Sequence, residues 1–358
     1  MLDRQPLISI VITCFNYARY VGGAIECALR QSYANKQVIV VNDGSTDDSL
    51  AVIERYADRI TIVDQENQGS IAAYNHGFAA SRGEIVIFLD ADDLLEPDAL
   101  ERVGRAWSPT HAKVQYDLHI IDGEGKNLGR KFCNFDHDYG VERVRESFRS
   151  TGTYRWPVTV GNAYSRWFVA CIFPLSVEHG PDGTLNTLAP VYGEVATIPL
   201  PLGSYRIHDS NMWSSGGSDV DRLPRRIAHR MKEISLMQQH AQARGVAVPQ
   251  VNALDHEIAF INYRLMARKL SLPYEGETAD SAARLLASAL TVLRAEKYPL
   301  KLTFAHALWL GALGIAPAGV AREMIRLRFR RHLLGKQLLK AVQRLSGMPA
   351  SADQAMSR

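Results

Sequence analysis

Apolar runs alternate with amphipathic segments through the first hundred residues of the chain. Residues 7–13 are an apolar, β-branched run, and residues 20–29 then carry apolar side chains at helical spacing. Further apolar runs at 38–41, 60–63 and 85–89 predict three more strands, with helices between them. Strands that alternate with helices favour right-handed crossovers and parallel pairing. We therefore predict an α/β fold with a doubly wound, mostly parallel sheet and helices on both faces.

The fourth predicted strand ends in three acidic residues within four positions, Asp90, Asp92 and Asp93. Such charges are too costly to bury unpaired, so they must meet water, a cation or helix-end amides. Carboxylates at the carboxyl end of a strand in an open α/β fold suggest a divalent metal that carries phosphates. The alternative is that Asp92 or Asp93 only caps the helix that begins near Pro97.

Polar residues elsewhere follow the same placement. Thr13, Asn16, Asp43 and Asn75 fall just after predicted strands or early in the helices that follow them. We expect them to line one crevice together with the acidic residues. Neither of the two glycine-rich phosphate-loop motifs accompanies them, which argues against a dinucleotide oxidoreductase or a P-loop ATPase. If phosphates bind here, a metal must do much of the neutralising.

In this order and spacing, the motifs resemble those of the family-2 inverting glycosyltransferases, which have the GT-A nucleotide-sugar-binding fold. The resemblance is close over about the first hundred residues and looser beyond them. It rests on five segments: Ile10 to Asn16, Val41 to Asp47, Asn67-Gln68-Gly69 with Asn75, Gly83-Glu84, and Phe88 to Asp93.

The resemblance implies where a nucleotide sugar binds. Thr13 and Asn16 would lie beside the nucleotide, and Asp43 would accept a hydrogen bond from the imide nitrogen of a uracil-type base. Asp43 is also read as a turn-forming Asp before Gly. Asp90, with the adjacent Ala91, would contact the ribose or sugar.

The resemblance also implies a metal site and further donor contacts. Asp92 would ligate Mn²⁺ or Mg²⁺ bridging the diphosphate, and His208, in the segment Tyr205-Arg206-Ile207-His208, would complete the metal site or touch the diphosphate. Asn75 and Arg82 are additional candidates for contact with the donor.

Inverting transfer is a single displacement, so a base must take the proton of the attacking hydroxyl. The segment 181–190 resembles the family's base-bearing segment, and Asp182 is the matching residue. The same residue is also a candidate N-cap for a helix over 185–188, and both roles are compatible. Gly161 and Asn162 resemble a loop near the donor sugar, and Arg206 resembles a residue that orients the catalytic loop.

Length and pattern predict the domain organisation of the 358 residues. We expect a catalytic domain over 1–212, with a nucleotide-binding half of about 1–110 and an acceptor half of about 111–212. The acceptor half begins with a hairpin over 113–132. A linker at 213–220 and a helical C-terminal region over 221–358 follow.

Composition is ordinary for a chain with a substantial core, with 46% apolar and 22% charged residues. The formal net charge of +3 is unevenly distributed, because residues 322–344 carry eight Lys or Arg against one Glu. The apolar stretch 304–321, which contains Pro317 and His306, is too interrupted to predict a transmembrane helix. Together, 303–345 fit in-plane attachment to an anionic membrane; a helical subdomain packed on the catalytic core is the alternative. Nucleic-acid binding is not expected.

The start of the chain lacks a signal-peptide pattern and the four cysteines lack metal-ligand spacing, so we expect a cytoplasmic protein, peripheral on the inner face of the membrane. The predicted activity is metal-dependent inverting transfer of a hexose or N-acetylhexosamine from a UDP- or dTDP-sugar to a hydroxyl of a lipid-linked or surface glycan. Two alternatives remain, a metal-dependent phosphohydrolase and a non-catalytic nucleotide-sugar-binding partner in an assembly complex.

Overall fold

A computed structural model describes residues 5–176, 181–208, 222–295 and 300–329. The described residues divide into two compact units, of which the first contains 5–176, 181–208 and 229–257 and the second contains 222–228, 258–295 and 300–329. The predicted linker at 213–220 lies outside the described residues. Residues 229–257, which we expected in the C-terminal region, belong to the first unit.

The four predicted strands form the parallel half of one sheet. They are β1 (Ile8–Cys14), β2 (Lys36–Asp43), β3 (Thr61–Gln65) and β4 (Ile85–Asp90). Their spatial order is β3-β2-β1-β4, and every neighbouring pair is parallel. All four strands therefore end at the same edge of the sheet.

The sheet continues beyond β4 with strands of mixed direction. These are β5 (Leu94–Leu95), β6 (His111–Asp122), β7 (Asn127–Lys131), β8 (Asn162–Ser165) and β9 (Glu194–Ile207). The order is β4-β8-β6-β9-β5, with β8 antiparallel to both neighbours and β9 parallel to β6. The predicted hairpin is present as β6 and β7, which pair antiparallel.

Helices cover the sheet of the first unit. They are α1 (Ala18–Leu29), α2 (Ser49–Glu54), α3 (Ser70–Ala80), α4 (Ala99–Ala106), α5 (Val141–Thr151), α6 (Arg166–Ala170) and α7 (Pro181–Tyr192). The long helix α8 (Leu223–Ala243) follows. The predicted α/β fold class, with helices on both faces of the sheet, is confirmed.

Two apolar clusters form the core, one on each face of the sheet. Alternate residues of β1 divide between them, with Ile10 and Ile12 in one cluster and Val11 in the other, because successive strand residues point to opposite faces. On the second face α3 approaches β1 so closely that a Cβ atom added at Gly77 would collide with Val11. This contact brings α3 against the end of the sheet that carries the acidic residues.

The second unit is helical. Its elements are α9 (Ile258–Lys269), α10 (Ala282–Ala295), α11 (Leu300–Ile315) and α12 (Ala318–Phe329). Within the described residues, none of the helices combines the length and apolar character needed to cross a bilayer.

Candidate functional site

The carboxyl ends of β1, β2 and β4 bring three predicted site residues to one edge of the sheet. Thr13 is aligned with Asp90 on one side and with Val41 on the other, and Asp43 ends β2. The acidic residues of the loop after β4 therefore lie beside the ends of β1 and β2, as the sequence pattern predicted.

Asp90 is the first of these acidic residues and has one phenol partner. The hydroxyl of Tyr74, on α3, donates to Oδ1 of Asp90 over 3.0 Å. Burial, followed by the neighbouring charge of Asp92, raises the pKa of Asp90 to about 7. Burial is the larger cause that disfavours the charged form of Asp90, and the charge of Asp92 adds to it.

Asp92 pairs with a histidine that the sequence places far away. Nε2 of His208 lies 2.9 Å from Oδ2 of Asp92, and Asp92 is only 7% exposed. The rings of Tyr17 and Tyr20 pack against the imidazole, with centroids 5.8 and 4.9 Å from it. The imidazole of the pair is therefore held by two aromatic rings at the start of helix α1.

The Asp92 and His208 pair fits the predicted metal. Carboxylate oxygen and imidazole nitrogen suit Mn²⁺, and two neighbouring ligands of an octahedral ion with 2.0–2.1 Å bonds lie about 3 Å apart. Among the described residues, no group of three or more His, Cys, Asp or Glu is arranged to hold a metal ion. A cation held here would need its remaining ligands from substrate oxygens and water.

Asp93 does not cap the helix, so the capping alternative was wrong for this residue. Its Oδ1 accepts the backbone N–H of Arg206 over 2.8 Å. The residue before α4 is Asp98, which makes no side-chain cap bond. Burial and the charges of Asp92 and Asp90 raise the pKa of Asp93 well above its ordinary value.

Arg206 holds the loops around the acidic residues together. Its Nε donates to the carbonyl of Asp92 over 2.7 Å, and its Nη1 donates to the carbonyl of Asp122 over 3.2 Å. Its guanidinium also lies 5.0 Å above the ring of Tyr20. The side chain thus supports the loop that presents Asp92, which agrees with an orienting role.

Asp43 is buried at the end of β2 with one oxygen engaged. Its Oδ1 accepts from Nε2 of Gln65 over 2.7 Å and from the backbone N–H of Gln68 over 2.9 Å. Its Oδ2 has no hydrogen-bond partner among the residues that the structure describes. The carboxylate is therefore oriented by protein contacts and keeps an acceptor for a ligand donor.

Asn16 connects the loops after β1 and β2. Its backbone adopts a left-handed conformation with φ of 57°, which Asn tolerates better than most residues. Its Oδ1 accepts from the backbone N–H of Thr46 over 2.7 Å, and its own N–H donates to the hydroxyl of Ser45 over 3.0 Å. The side-chain oxygen of Asn16 thus connects the loop after β1 to the loop after β2.

Asp182 lies in the first turn of α7, and its Oδ1 accepts the N–H of Gly183 over 2.8 Å. Burial raises the pKa of Asp182. Its charge acts on Asp90 and on Tyr74, which places the carboxylate within electrostatic reach of the acidic loop. Asp182 therefore interacts electrostatically with Asp90, and its role as the base stays a prediction.

Two other predicted contacts take different positions. Asn75 makes a double hydrogen bond to the backbone of Leu175, with 3.0 and 2.8 Å between the atoms. Arg82 is an exposed residue before the amino end of β4, at the opposite edge of the sheet from Asp90. A direct donor contact is not supported for either residue; Asn75 anchors a loop and Arg82 lies too far away.

The loop of Gly161 and Asn162 is close to the acids, but the Asn162 side chain points elsewhere. Its Nδ2 donates to the carbonyl of Val158 over 2.8 Å, and the residue is fully buried. A Cβ atom at Gly161 would lie 2.5 Å from Pro157. The Asn162 side chain therefore shapes this loop, and the position of the loop near the donor sugar stays a prediction.

Sequence reasoning missed several residues of the site. Tyr17 and Tyr20 pack against His208, and Tyr74 donates a hydrogen bond to Asp90. His229 and Glu233 interact electrostatically with Asp182. Tyr17 directly follows the Asn16 motif, which was a usable signal. His229 and Glu233 had no signal, because they come from a helix distant in sequence.

A cavity of about 900 Å³ lies at the amino ends of β6 and β9, lined in part by Val144, Phe148 and Val248. It is far from the acidic loop along both strands and contains none of the predicted site residues. This cavity and the acidic residues after β4 are therefore separate features of the first unit.

Comparison with known proteins agrees with this geometry. The family model described as glycosyl transferase family 2 matches residues 9–162. An uncharacterized glycosyltransferase of Nostoc sp., alr2836, is 34% identical over 220 residues, which cover 59% of this chain and 68% of the relative. Chondroitin synthase of Escherichia coli is 41% identical over 103 residues, covering 28% of this chain and 15% of that protein.

Two solved structures share the fold. Residues 1–349 of S. aureus TarS in complex with UDP-GlcNAc superpose with a TM-score of 0.51 and 13% identity, covering 91% of this chain and 92% of that chain. Mannosyltransferase PcManGT from Pyrobaculum calidifontis, in complex with GDP-Man and Mn²⁺, gives a TM-score of 0.51 and 17% identity, covering 97% and 89%. The fold is thus of the GT-A type, and on the sequence matches the chain belongs to glycosyl transferase family 2.

Proposed function

We propose that the chain is a metal-dependent inverting glycosyltransferase that moves a hexose or N-acetylhexosamine from a UDP- or dTDP-sugar to a hydroxyl of a growing glycan. The observation that carries this proposal is the pairing of Asp92 with His208 just after Asp90, at the end of the sheet that also presents Asp43. A proposed cation site next to Asp90, together with the buried carboxylate of Asp182 whose charge acts on Asp90, fits group transfer better than simple ligand binding.

The nucleotide would bind at the ends of β1 and β2. Thr13 and Asn16 would border the nucleotide, and Oδ2 of Asp43 would accept the imide N–H of uracil or thymine. Cytosine has an acceptor at that ring position, so the same carboxylate would disfavour it. The orientation of Asp43 by Gln65 and Gln68 supports this role.

The diphosphate would bind beside Asp92 and His208, which would hold Mn²⁺ or Mg²⁺. A bound cation supplies positive charge where negative charge accumulates on the departing diphosphate. Asp90 and Ala91 would border the ribose or sugar. The Gly161 loop would approach the sugar through its backbone, and Arg206 would keep the acidic loop in place.

Asp182 would act as the base of a single displacement. The acceptor oxygen forms a bond to the anomeric carbon, its proton passes to the Asp182 carboxylate, and the bond from that carbon to the diphosphate oxygen breaks with its electron pair on the oxygen. Since burial raises the pKa of Asp182, its carboxylate is a stronger base than an exposed one.

Known proteins support the choice of substrates. TarS is bound to UDP-GlcNAc in its structure, PcManGT is bound to GDP-Man and Mn²⁺, and chondroitin synthase is named for a polysaccharide product. On the basis of these proteins, we propose that this chain uses a nucleotide-sugar donor, a divalent cation and a glycan acceptor. A lipid-linked or surface polysaccharide intermediate is the acceptor that we propose.

Helix α11 supports peripheral contact with an anionic membrane. Leu300, Phe304, Leu308 and Ile315 share one side of the helix and are exposed by 88%, 70%, 63% and 83%. On α12, Arg322 and Arg326 are exposed. Apolar side chains beside cations suit the interface of a bilayer with anionic headgroups. The predicted segment 303–345 continues past residue 329 into residues outside the described part.

Nucleotide-sugar binding and turnover test the proposal together. In a thermal-shift panel of UDP-, dTDP- and GDP-sugars with and without Mn²⁺, we expect the UDP- or dTDP-sugars to stabilise the protein most, and only with Mn²⁺. UDP release from UDP-N-acetylglucosamine or UDP-glucose should then follow. Stabilisation without release, with or without glycan acceptors, would identify a binding partner instead. Hydrolysis of p-nitrophenyl phosphate without use of nucleotide sugars would identify a phosphohydrolase.

A further inference from the structure

Helix α8 places a buried carboxylate directly against the helix turn that carries Asp182. A Cβ atom added at Gly183 would collide with the carboxylate of Glu233. A side chain at the position next to Asp182 would therefore have to displace the Glu233 carboxylate. The negative carboxylate also lies near the amino end of α7, where the helix dipole favours negative charge.

Glu233 is itself fixed on both oxygens. Its Oε2 accepts from Nη1 of Arg230 over 2.8 Å, and its Oε1 lies 3.2 Å from Nε2 of His229. Burial would raise the pKa of Glu233, but the hydrogen bond from His229 and the charge of Arg230 lower it overall. Glu233 is therefore a paired, charged group although it is only 5% exposed.

Arg230 fastens α8 to α7 at a second point. It is 2% exposed, binds the hydroxyl of Thr187 on α7, and makes an ion pair of 2.6 Å with Glu257. The first two turns of α7 are thus held by α8 through Glu233 and Arg230. The position of Asp182 depends on this attachment.

The same groups dominate the electrostatics of Asp182. After burial, the charge of Glu233 raises the pKa of Asp182, while the charge of His229 lowers it. The other titratable groups that interact with Asp182 come from the elements packed around it: Tyr74 on α3, Asp90 on β4, Tyr164 on β8 and Tyr205 on β9.

We propose that Glu233, braced by His229 and Arg230, is a positioning residue that sets the place and the electrostatic environment of the base Asp182. This inference rests on the proposed function, in which Asp182 takes the proton of the acceptor. It adds that a residue of helix α8 affects the transfer step without touching the substrate.

The test measures UDP release from UDP-N-acetylglucosamine as a function of pH. It compares the pH profile of kcat/KM of Glu233→Gln with that of the unchanged protein. Glutamine keeps the shape and a hydrogen bond to Arg230 but removes the charge. We expect the acid limb of the profile to move to lower pH, kcat to fall by about tenfold at neutral pH because a weaker base transfers the proton less well, and KM for the donor to stay unchanged.

His229→Gln provides a second, partly exposed variant. It removes a cation that favours the charged form of Asp182, so the acid limb should move to higher pH, opposite to Glu233→Gln. Glu257→Gln is the matched control, because Glu257 also pairs with Arg230 but makes no hydrogen bond or ion pair with α7 among the described residues. It should lower the melting temperature without moving the limb.

An acid limb that stays in place in both Glu233→Gln and His229→Gln overturns the inference, and so does a shift of the same size in Glu257→Gln. The variant Asp182→Asn distinguishes a failure of the positioning inference from a failure of the proposed function. If Asp182→Asn retains full turnover, the proposed base is wrong. If it is inactive while the other variants behave like the unchanged protein, only the positioning role of Glu233 fails.

Discussion

Nε2 of His208 lies 2.9 Å from Oδ2 of Asp92, although 116 positions separate the two residues in the chain. The contact exists because β9 ends beside the loop that follows β4, where Arg206 binds the backbone of both Asp92 and Asp122. The carboxylate and the imidazole are thereby held at a separation that suits two ligands of one cation.

Replacing Asp92 with alanine should remove the effect of metal on nucleotide binding. One of the two proposed protein ligands is lost, so Mn²⁺ should no longer improve the affinity for UDP. Calorimetry with and without Mn²⁺ measures this directly, and we expect at least a tenfold weaker Kd in the presence of the metal, or about 1.4 kcal/mol. Asp58→Asn, at an exposed surface pair, is the control. An unchanged metal effect in Asp92→Ala would rule out its role as a ligand.

Asp43→Asn should weaken selection of uracil over cytosine. The asparagine oxygen would keep the hydrogen bonds from Gln65 and Gln68, so its NH₂ group would face the base and meet the uracil N–H as a second donor. Loss of a charged hydrogen bond costs about 1.5–3 kcal/mol. We therefore expect UDP affinity to fall by about 10- to 100-fold and the UDP to CDP preference to shrink in calorimetric titrations.

Asp64→Asn is the matched control for the base-selection experiment. Asp64 lies on the neighbouring strand β3, is exposed, and accepts from Nδ2 of Asn42 over 2.7 Å. It should leave the UDP to CDP preference unchanged. Equal effects of the two substitutions would show that Asp43 acts through the strand end and not on the base.

Asp182→Asn should abolish transfer and leave nucleotide binding intact. General-base catalysis contributes about 10²- to 10⁴-fold, so kcat should fall by at least that factor while the Kd for UDP stays the same. UDP release and calorimetry measure the two quantities. Glu142→Gln, on the exposed face of α5, is a control carboxylate. A parallel loss of UDP affinity in Asp182→Asn would contradict a role confined to catalysis.

The raised pKa of Asp182 predicts how activity depends on pH. Burial raises this pKa above the ordinary Asp value of about 3.9, so the carboxylate takes up a proton at a higher pH than an exposed Asp. The base form is present above that raised pKa and is lost as the pH falls through it. The acid limb of kcat/KM should therefore lie at a higher pH than the ordinary pKa of Asp, and a limb at or below that ordinary value would contradict the burial of the base.

Phe304→Asp together with Leu308→Asp should reduce membrane binding. Both side chains are exposed on α11, so the change removes apolar contact and adds negative charge without disturbing the core. Co-sedimentation with vesicles that contain phosphatidylglycerol should show binding of the unchanged chain, weaker at high salt, and at least tenfold weaker binding of the variant.

Val251→Asp is the control for membrane binding, since Val251 is 44% exposed in the first unit. It should bind vesicles like the unchanged chain. Equal binding of all three proteins would remove the membrane proposal. A change from dimer to monomer in the α11 variant would instead identify a second copy of the chain as the partner of the exposed apolar side of α11.

The order of the elements was predictable from local patterns. The β-branched apolar runs at 7–13 and 38–41 are unfavourable to expose to water and therefore predict buried strands. The first run forms β1 and the second lies within β2. Residues directly after such strands, Asp43 and Asp90, were placed on one edge of the sheet because parallel strands end together.

The partners of those residues were decided by the tertiary structure. The sequence by itself determined that acids follow β4 and that an Asp precedes Gly183, since these are properties of neighbouring positions. It contained no information that Arg206 would bind Asp92, that Asn75 would bind Leu175, or that Arg82 would lie at the opposite edge. The contact of Glu233 with Gly183 likewise depends on how α8 packs on α7. The burial of a side chain and its charge partners depend on segments that are distant in sequence. They are therefore determined only when the chain is folded.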